Sequence, residues 1–321
     1  VDCRARRVDF ANGEALRYDR LLLCLGATVR QLTCPGANLA GVHYLRSVAD
    51  VMPIRSAIKP GLRVVIVGGG YIGLETAATC RHMGCEVTVL EVADRVMNRV
   101  VAPCVSQFFA REHGAHGINI LCNMRVERLE GVGSVDRVVC ADGSGYAADV
   151  VIVGVGAVPS TALASAAGLA CDNGIIVDEY CRTQDEAIFA AGDCTNHPSL
   201  RFGRRVRIES VDNAFEQAKT AALNLLDRNV VHDRVPWFWS DQYDSKLLIA
   251  GLSQDYDQQV LRGDPNSRSF SVCYLKANEL IAVEAINHSK DYMAARKLIA
   301  DRAQMDAAKL ADPNIALKEA I

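Results

Sequence analysis

The chain of 321 residues carries a formal net charge of -3, is 50% hydrophobic and 23% charged, a balance that excludes a global electrostatic pull toward nucleic acid or an anionic membrane. Its length suits two or three domains. No run of roughly 18 apolar residues is present, so no membrane-spanning helix is expected.

The opening VDCRARRVDF has no apolar stretch and does not read as a secretory signal. The twelve cysteines are irregularly spaced, with no CxxC pair and no Cys/His zinc pattern. They read as reduced core residues of a cytoplasmic protein. Cys80 and Cys85 form a CxxxxC, a spacing that some flavin disulfide reductases use. Gly84 separates them as a helix cap, so the expectation is two unpaired packing cysteines.

In chain order, residues 5–27 predict two strands about an Asn12-Gly13 turn, the second ending at Gly26. Residues 28–45 read as a connection with a turn at Pro35-Gly36. Ser47–Ile58 has helical spacing and stops at Pro60-Gly61. Arg63–Val67 is an apolar strand of parallel type, followed by the Gly-rich segment 68–73, a helix to about Met83, and a strand over 86–91. A helix over 103–113 precedes three short strands near 118–122, 125–130 and 135–141, a turn at Asp142-Gly143 and the apolar strand Val150–Val155. Beyond Pro159 lie a strand over 175–177, the strand Phe189–Ala191 ending in Gly192-Asp193, and a helix over 211–226. A charged junction at 227–236 marks a boundary. Runs near 247–252, 257–262, 269–275 and 279–286 predict an antiparallel sheet, then a helix near 290–302 and a loose tail.

The segment Gly68-Gly69-Gly70-Tyr71-Ile72-Gly73 fits GxGxxG in its proper setting: a strand before, a helix after, and an acid at the end of the next strand. Gly68 permits the tight turn, Gly70 the approach of a pyrophosphate, and Gly73 close packing of helix on strand. Tyr71 and Ile72 open the helix, whose free N–H groups and positive end face the phosphates. Glu91, 23 residues after Gly68, is the candidate ribose ligand and disfavours a 2′-phosphate, so NADH is expected over NADPH. Arg95 or Arg99 could instead reach toward a 2′-phosphate. Glu75 has two readings: favourable placement near the helix dipole, or contact with the nicotinamide. Gly154–Pro159 ends a strand, where Gly156 could admit the nicotinamide closely or simply serve the turn.

The motifs VVIVGGGYIGLETAATCRHMGCEVTVLE, IFAAGDC, RIESVDNAFEQA and PWFWSDQY together resemble the FAD-dependent ferredoxin reductases, the putidaredoxin and rubredoxin reductase group that serves P450 or hydroxylase systems. The resemblance covers nearly the whole chain. It implies a glutathione-reductase-like α/β fold with two Rossmann-like dinucleotide-binding domains and a C-terminal α/β domain with an antiparallel sheet. The division expected is 1–27 and 158–231 for FAD, 28–157 for NADH, and 232–321 for the C-terminal domain. The resemblance further implies that Asp193 binds the flavin ribityl chain, that the Val211 amide faces a flavin carbonyl, that Arg46 contacts the flavin, and that Trp239 lies near its ring. Two departures stand out. Only one GxGxxG is present, so the chain reads as N-terminally truncated with an incomplete FAD domain, and Cys24-Leu25-Gly26 replaces the usual Ala-Thr-Gly.

The implied chemistry is hydride transfer from NADH to FAD, then single electrons to a small acidic ferredoxin or rubredoxin, with no side-chain nucleophile or general base. Arg201, Arg204, Arg205, Arg207 and Lys219 are the candidate docking patch, against a solvated loop. The competing readings are a flavin disulfide or small-molecule reductase on the same scaffold, and an NADH-binding interaction protein of apoptosis-inducing-factor type.

Overall fold

The computed structural model describes residues 1–321. Its centre is a five-stranded parallel sheet in the order Val42–Tyr44, Val150–Val153, Arg63–Val67, Glu86–Leu90, Asn119–Leu121. The inner strands are the apolar runs read from sequence. Val64, Ile66, Val87, Val89 and Ile152 are buried on one face with Leu74, Ala77, Phe108 and Phe109, and Val65, Val67, Leu90 and Val151 on the other with Leu129 and Val138. Each such Val, Leu, Ile or Phe side chain contributes roughly 1.5–3 kcal/mol when fully buried. The second face is covered by a three-stranded antiparallel sheet, Gly145–Ala147, Arg137–Cys140 and Val126–Glu130.

Residues 28–45 are more than a connection. They supply Val42–Tyr44, the edge of the parallel sheet, and Val29, where Ala27–Val29 pairs antiparallel with Ala157–Pro159. Both strands have three residues, too few for a period to register. A second α/β body gathers residues from both sides of this insertion: Leu21–Leu23 lies parallel to Ile188–Ala190, and Ile175–Ile176, Thr195–Ser199 and Arg204–Val206 form a small mixed sheet. A hairpin does turn at Asn12-Gly13, but its second strand is Ala15–Arg17, paired to Arg7–Asp9, and the expected second strand ending at Gly26 is instead the separate strand Leu21–Leu23.

The C-terminal sheet is antiparallel, in the order Trp237–Gln242, Ser245–Gly251, Glu279–Ile286, Phe270–Lys276, Gln258–Gly263. Alternation divides its faces. Phe270, Val272 and Tyr274 join the core of the parallel sheet, with Phe270 5.8 Å from the Phe108 ring. Cys273 and Leu275 turn toward the helix Ser289–Ala300 and its Tyr292, Ala295 and Ile299.

The tail is not loose. Ala307–Ala311 is a helix, and Leu310, Leu317 and Ala320 are buried against the sheet. Its anchor is Arg262, 4% exposed. The guanidinium donates to Asp291 Oδ2 at 2.9 Å, to the carbonyls of Leu310, Asp312 and Pro313 at 3.2, 2.5 and 3.3 Å, and to that of Ile315. No helix is long and apolar enough to cross a membrane. All twelve cysteines are free, and Cys80 and Cys85 are both buried as expected.

Candidate functional site

The strand Arg63–Val67 ends at Gly68, whose φ of +106° favours glycine. A Cβ there would lie 2.4 Å from the Gly154 carbonyl oxygen. The turn therefore sits directly against the end of Val150–Val153, at the carboxyl edge where open α/β sheets bind ligands. A Cβ on Gly73 would stand 2.0 Å from Gly68 O, so glycine lets the helix Tyr71–His82 close on the turn. Gly70 is the N-cap, and a Cβ there would meet open space. The first helical bond runs from Leu74 N–H to Gly70 O at 3.0 Å, which leaves the amides of Tyr71, Ile72 and Gly73 without intrahelical acceptors. No acid occupies that first turn. Free amides, an uncompensated positive helix end and open space at Gly70 fit a dinucleotide pyrophosphate.

Glu91 closes the same site. Its Oε2 accepts from Gly69 N–H at 2.6 Å and its Oε1 from Ala93 N–H at 2.8 Å. Both bonds fix the carboxylate at the crevice, and each oxygen keeps a second lone pair for a ribose hydroxyl. The two nearby arginines part ways. Arg95 donates to Val101 O at 2.9 Å, Ser106 Oγ at 2.5 Å and Asn98 O at 2.8 Å. It is a brace of its own loop and not a reserve cation for a 2′-phosphate. Arg99 is exposed, and its Nη2 lies 3.9 Å from where a Gly156 Cβ would be. The fold thus brings Arg99 and Gly156 together.

Glu75 lies further along the helix. Its Oε1 accepts from Ser240 Oγ at 2.5 Å, and burial pushes its carboxyl upward against that bond. One turn earlier, Tyr71 meets Phe238, ring centroids 4.6 Å apart. The strand Trp237–Gln242 was hidden among aromatics in the sequence. Its alternation turns Phe238, Ser240 and Gln242 to the nucleotide-binding helices and Trp237 and Trp239 to the other side, with their rings 5.4 Å apart.

The second half-site is built at the ends of Leu21–Leu23 and Ile188–Ala190. Arg46 Nε donates to Ala27 O at 2.8 Å and Nη2 to Asp193 Oδ2 at 3.3 Å. Residues 147 positions apart thereby meet at Gly26 and Gly192. Burial raises the Asp193 carboxyl, and Arg46 opposes that. Gln217, fully buried and unnoticed in the sequence, holds the turn by accepting from Gly192 N–H and Thr195 Oγ, both at 2.8 Å. The helix Val211–Leu225 starts beside it. Ser210 caps Asn213 N–H at 3.1 Å, which leaves the amides of Val211 and Asp212 free. A half-buried carboxylate, a guanidinium and a free helix end fit the polar chain and ring carbonyl of a flavin.

The arginines of the expected docking patch are each engaged within the protein. Arg201 donates to Ile299 O and Ala300 O, Arg204 pairs with Asp255 at 3.2 Å and Gln254 at 2.7 Å, Arg205 bonds Val177 O and Asn196, and Arg207 bonds Asn173 and Glu209. Their hydrogen bonds and ion pairs tie the small sheet to its surroundings, while Arg205 also stays exposed. Lys219 stays exposed on its helix.

Two dinucleotide crevices joined through a strand pair, with a C-terminal sheet against both, define a nucleotide-dependent flavoprotein oxidoreductase. The chain belongs to the pyridine nucleotide-disulphide oxidoreductase family, whose model matches residues 1–218, with a reductase C-terminal domain at residues 237–321. It is 43% identical over 314 residues to the ferredoxin reductase subunit of 5,5'-dehydrodivanillate O-demethylase from a Sphingobium species, spanning 96% of this chain and 76% of that one. The solved covalent putidaredoxin reductase–putidaredoxin complex superimposes with a TM-score of 0.95 at 40% identity, over 99% of this chain and 78% of that one. An FAD-dependent pyridine nucleotide-disulphide oxidoreductase of Desulfovibrio vulgaris matches at 28% identity and a TM-score of 0.84, over 97% and 84%. The family's activity is NAD(P)H-dependent electron transfer.

Proposed function

We propose that the chain takes reducing equivalents from NADH and delivers them, through FAD, to a small acidic [2Fe-2S] ferredoxin or a rubredoxin serving a P450 or hydroxylase in the cytoplasm. One observation carries the NADH assignment: the Gly68 turn packs on Gly154 with Gly70 open and Glu91 fixed at the next strand end. We divide the chain into 1–27 and 158–231 for FAD, 28–157 for NADH and 232–321 for the C-terminal body. Pairing of Ala27–Val29 with Ala157–Pro159 supports that division, because it marks where the chain leaves and returns.

FAD, when bound, supplies the conversion of a two-electron donor into single electrons. The chain's own groups hold and orient. Amides of Tyr71, Ile72 and Gly73 take the pyrophosphate, Glu91 the ribose, and Glu75 and Gly156 the nicotinamide end, with Arg99 over the mouth. Asp193, Arg46 and the Val211 amide would hold the flavin, with Trp239 as the aromatic residue toward its ring. Glu91 repels a 2′-phosphate, so kcat/KM for NADH should exceed that for NADPH by about tenfold or more. A preference for NADPH in the same assay refutes the assignment, and Glu91→Gln should narrow the gap.

The docking surface we assign is the exposed stripe Val211, Phe215, Lys219, spaced four apart on one helix face. Val211 is 68% and Phe215 70% exposed. The apolar pair supplies contact and Lys219 attracts an acidic partner. Lys219→Glu should slow reduction of the ferredoxin about tenfold at low ionic strength and converge with the wild type at high salt. Ferricyanide reduction should not change, and an equal loss with ferricyanide would remove the stripe from docking.

A further inference from the structure

Three hydrogen bonds run in one direction across the contact between the C-terminal sheet and the nucleotide-binding helices. His113 Nε2 lies 2.8 Å from Gln242 Oε1. An amide oxygen only accepts, so Nε2 carries the proton. Gln242 Nε2 donates to Ser240 Oγ at 3.1 Å. The single Ser240 hydroxyl hydrogen is then left for Glu75 Oε1 at 2.5 Å. His113 and Ser240 are fully buried and Gln242 is 1% exposed, so water does not substitute for any of these partners. The Asp241 backbone also favours the charged form of the Glu75 carboxyl.

We propose that Ser240, oriented by Gln242, is a positioning residue that aims the Glu75 carboxylate at the nicotinamide carboxamide. The inference rests on the assignment of Glu75 to the nicotinamide end. Every donor in the chain points toward Glu75, which ends it as a pure acceptor. The carboxamide NH2 is a donor and needs an acceptor. Protonated Glu75 would present a hydroxyl there instead. Burial favours that protonated form, and the Ser240 bond and the Asp241 backbone oppose it. The strand Trp237–Gln242 thus does more than cover the crevice: it ties His113 of the helix Pro103–Ala115 to Glu75 of the helix Tyr71–His82 and holds one carboxylate at a set angle.

The test is calorimetric binding of NAD+ and of ADP-ribose, which lacks the nicotinamide, to the wild type and three variants. Ser240→Ala should weaken NAD+ about tenfold and ADP-ribose less than about twofold, as for one lost bond to a charged group. Ser240→Thr keeps the hydroxyl and should restore most of the NAD+ affinity. Glu75→Ala should weaken NAD+ with ADP-ribose again spared. Equal losses for both ligands in Ser240→Ala, or no loss of NAD+ affinity while Glu75→Ala shows one, overturn the role of Ser240 alone. Unchanged NAD+ binding in Glu75→Ala overturns the assignment of Glu75 and this inference with it.

Discussion

Gly70→Asp is expected to abolish NADH binding at working concentrations while leaving the protein folded. Gly70 has φ -78° and ψ -175°, an extended conformation open to any residue. A Cβ there touches nothing within 4 Å, so the change brings neither strain nor clash. Aspartate is moreover a favoured N-cap residue, since its carboxylate accepts from the free amides of the first turn. Those are the amides proposed to hold the pyrophosphate. The variant therefore competes for the same donors and adds a negative charge beside the phosphates. Two unit charges at about 4 Å repel by about 4 kcal/mol at an effective dielectric near 20. The NADH dissociation constant should rise at least about a hundredfold, with a melting temperature equal to or above that of the wild type. Retention of NADH affinity within about threefold would remove the pyrophosphate from this helix end. Gly68→Ala is the contrast: its φ of +106° and the Gly154 oxygen 2.4 Å from the added carbon should lower stability as well as affinity.

Arg262→Leu should destabilise the C-terminal body by about 3–5 kcal/mol, the usual loss when one partner of a buried ion pair is removed. Arg262 and Asp291 each keep only 5% side-chain exposure. Without the guanidinium, Asp291 keeps Ser271 Oγ at 2.9 Å and His288 Nδ1 at 3.2 Å but loses its permanent counter-charge, and four carbonyls of the terminal segment lose their donor. Denaturation should show a lower urea midpoint, and limited proteolysis should cut first within residues 305–321. NADH affinity should stay within about twofold, because distant sites are energetically independent. Wild-type stability in this variant would mean that the tail is held by Leu310, Leu317 and Ala320 alone.

The two expectations differ in where their grounds come from. Gly70 was legible in the chain: three glycines at fixed spacing, an apolar strand before them and Glu91 after them specify a local backbone path. Arg262 was not. It lies in a short strand of mixed polarity, and nothing near it in sequence names Asp291 or the carbonyls of 310–315 as partners. The same division holds across the fold. Arg63–Val67, Glu86–Leu90 and Val150–Val153 are buried on both faces, so their composition is uniform and readable. Ala27–Val29, Val42–Tyr44 and Trp237–Gln242 exist because of the strands beside them.

By itself, then, the chain of residues determined the βαβ unit at 63–91, the order of its larger elements, and the family likeness carried by its motifs. Those are properties of neighbours in sequence, where turn geometry and apolar periodicity act over a few residues. Only the folded molecule decided the fate of the polar side chains. It set Arg46 against Asp193, gave Glu75 to Ser240, turned Arg95 into a brace, and engaged Arg201, Arg204, Arg205 and Arg207 within the protein while leaving Lys219 exposed. A charge is free or bound according to what long-range packing places within about 3 Å of it and how much water that packing removes.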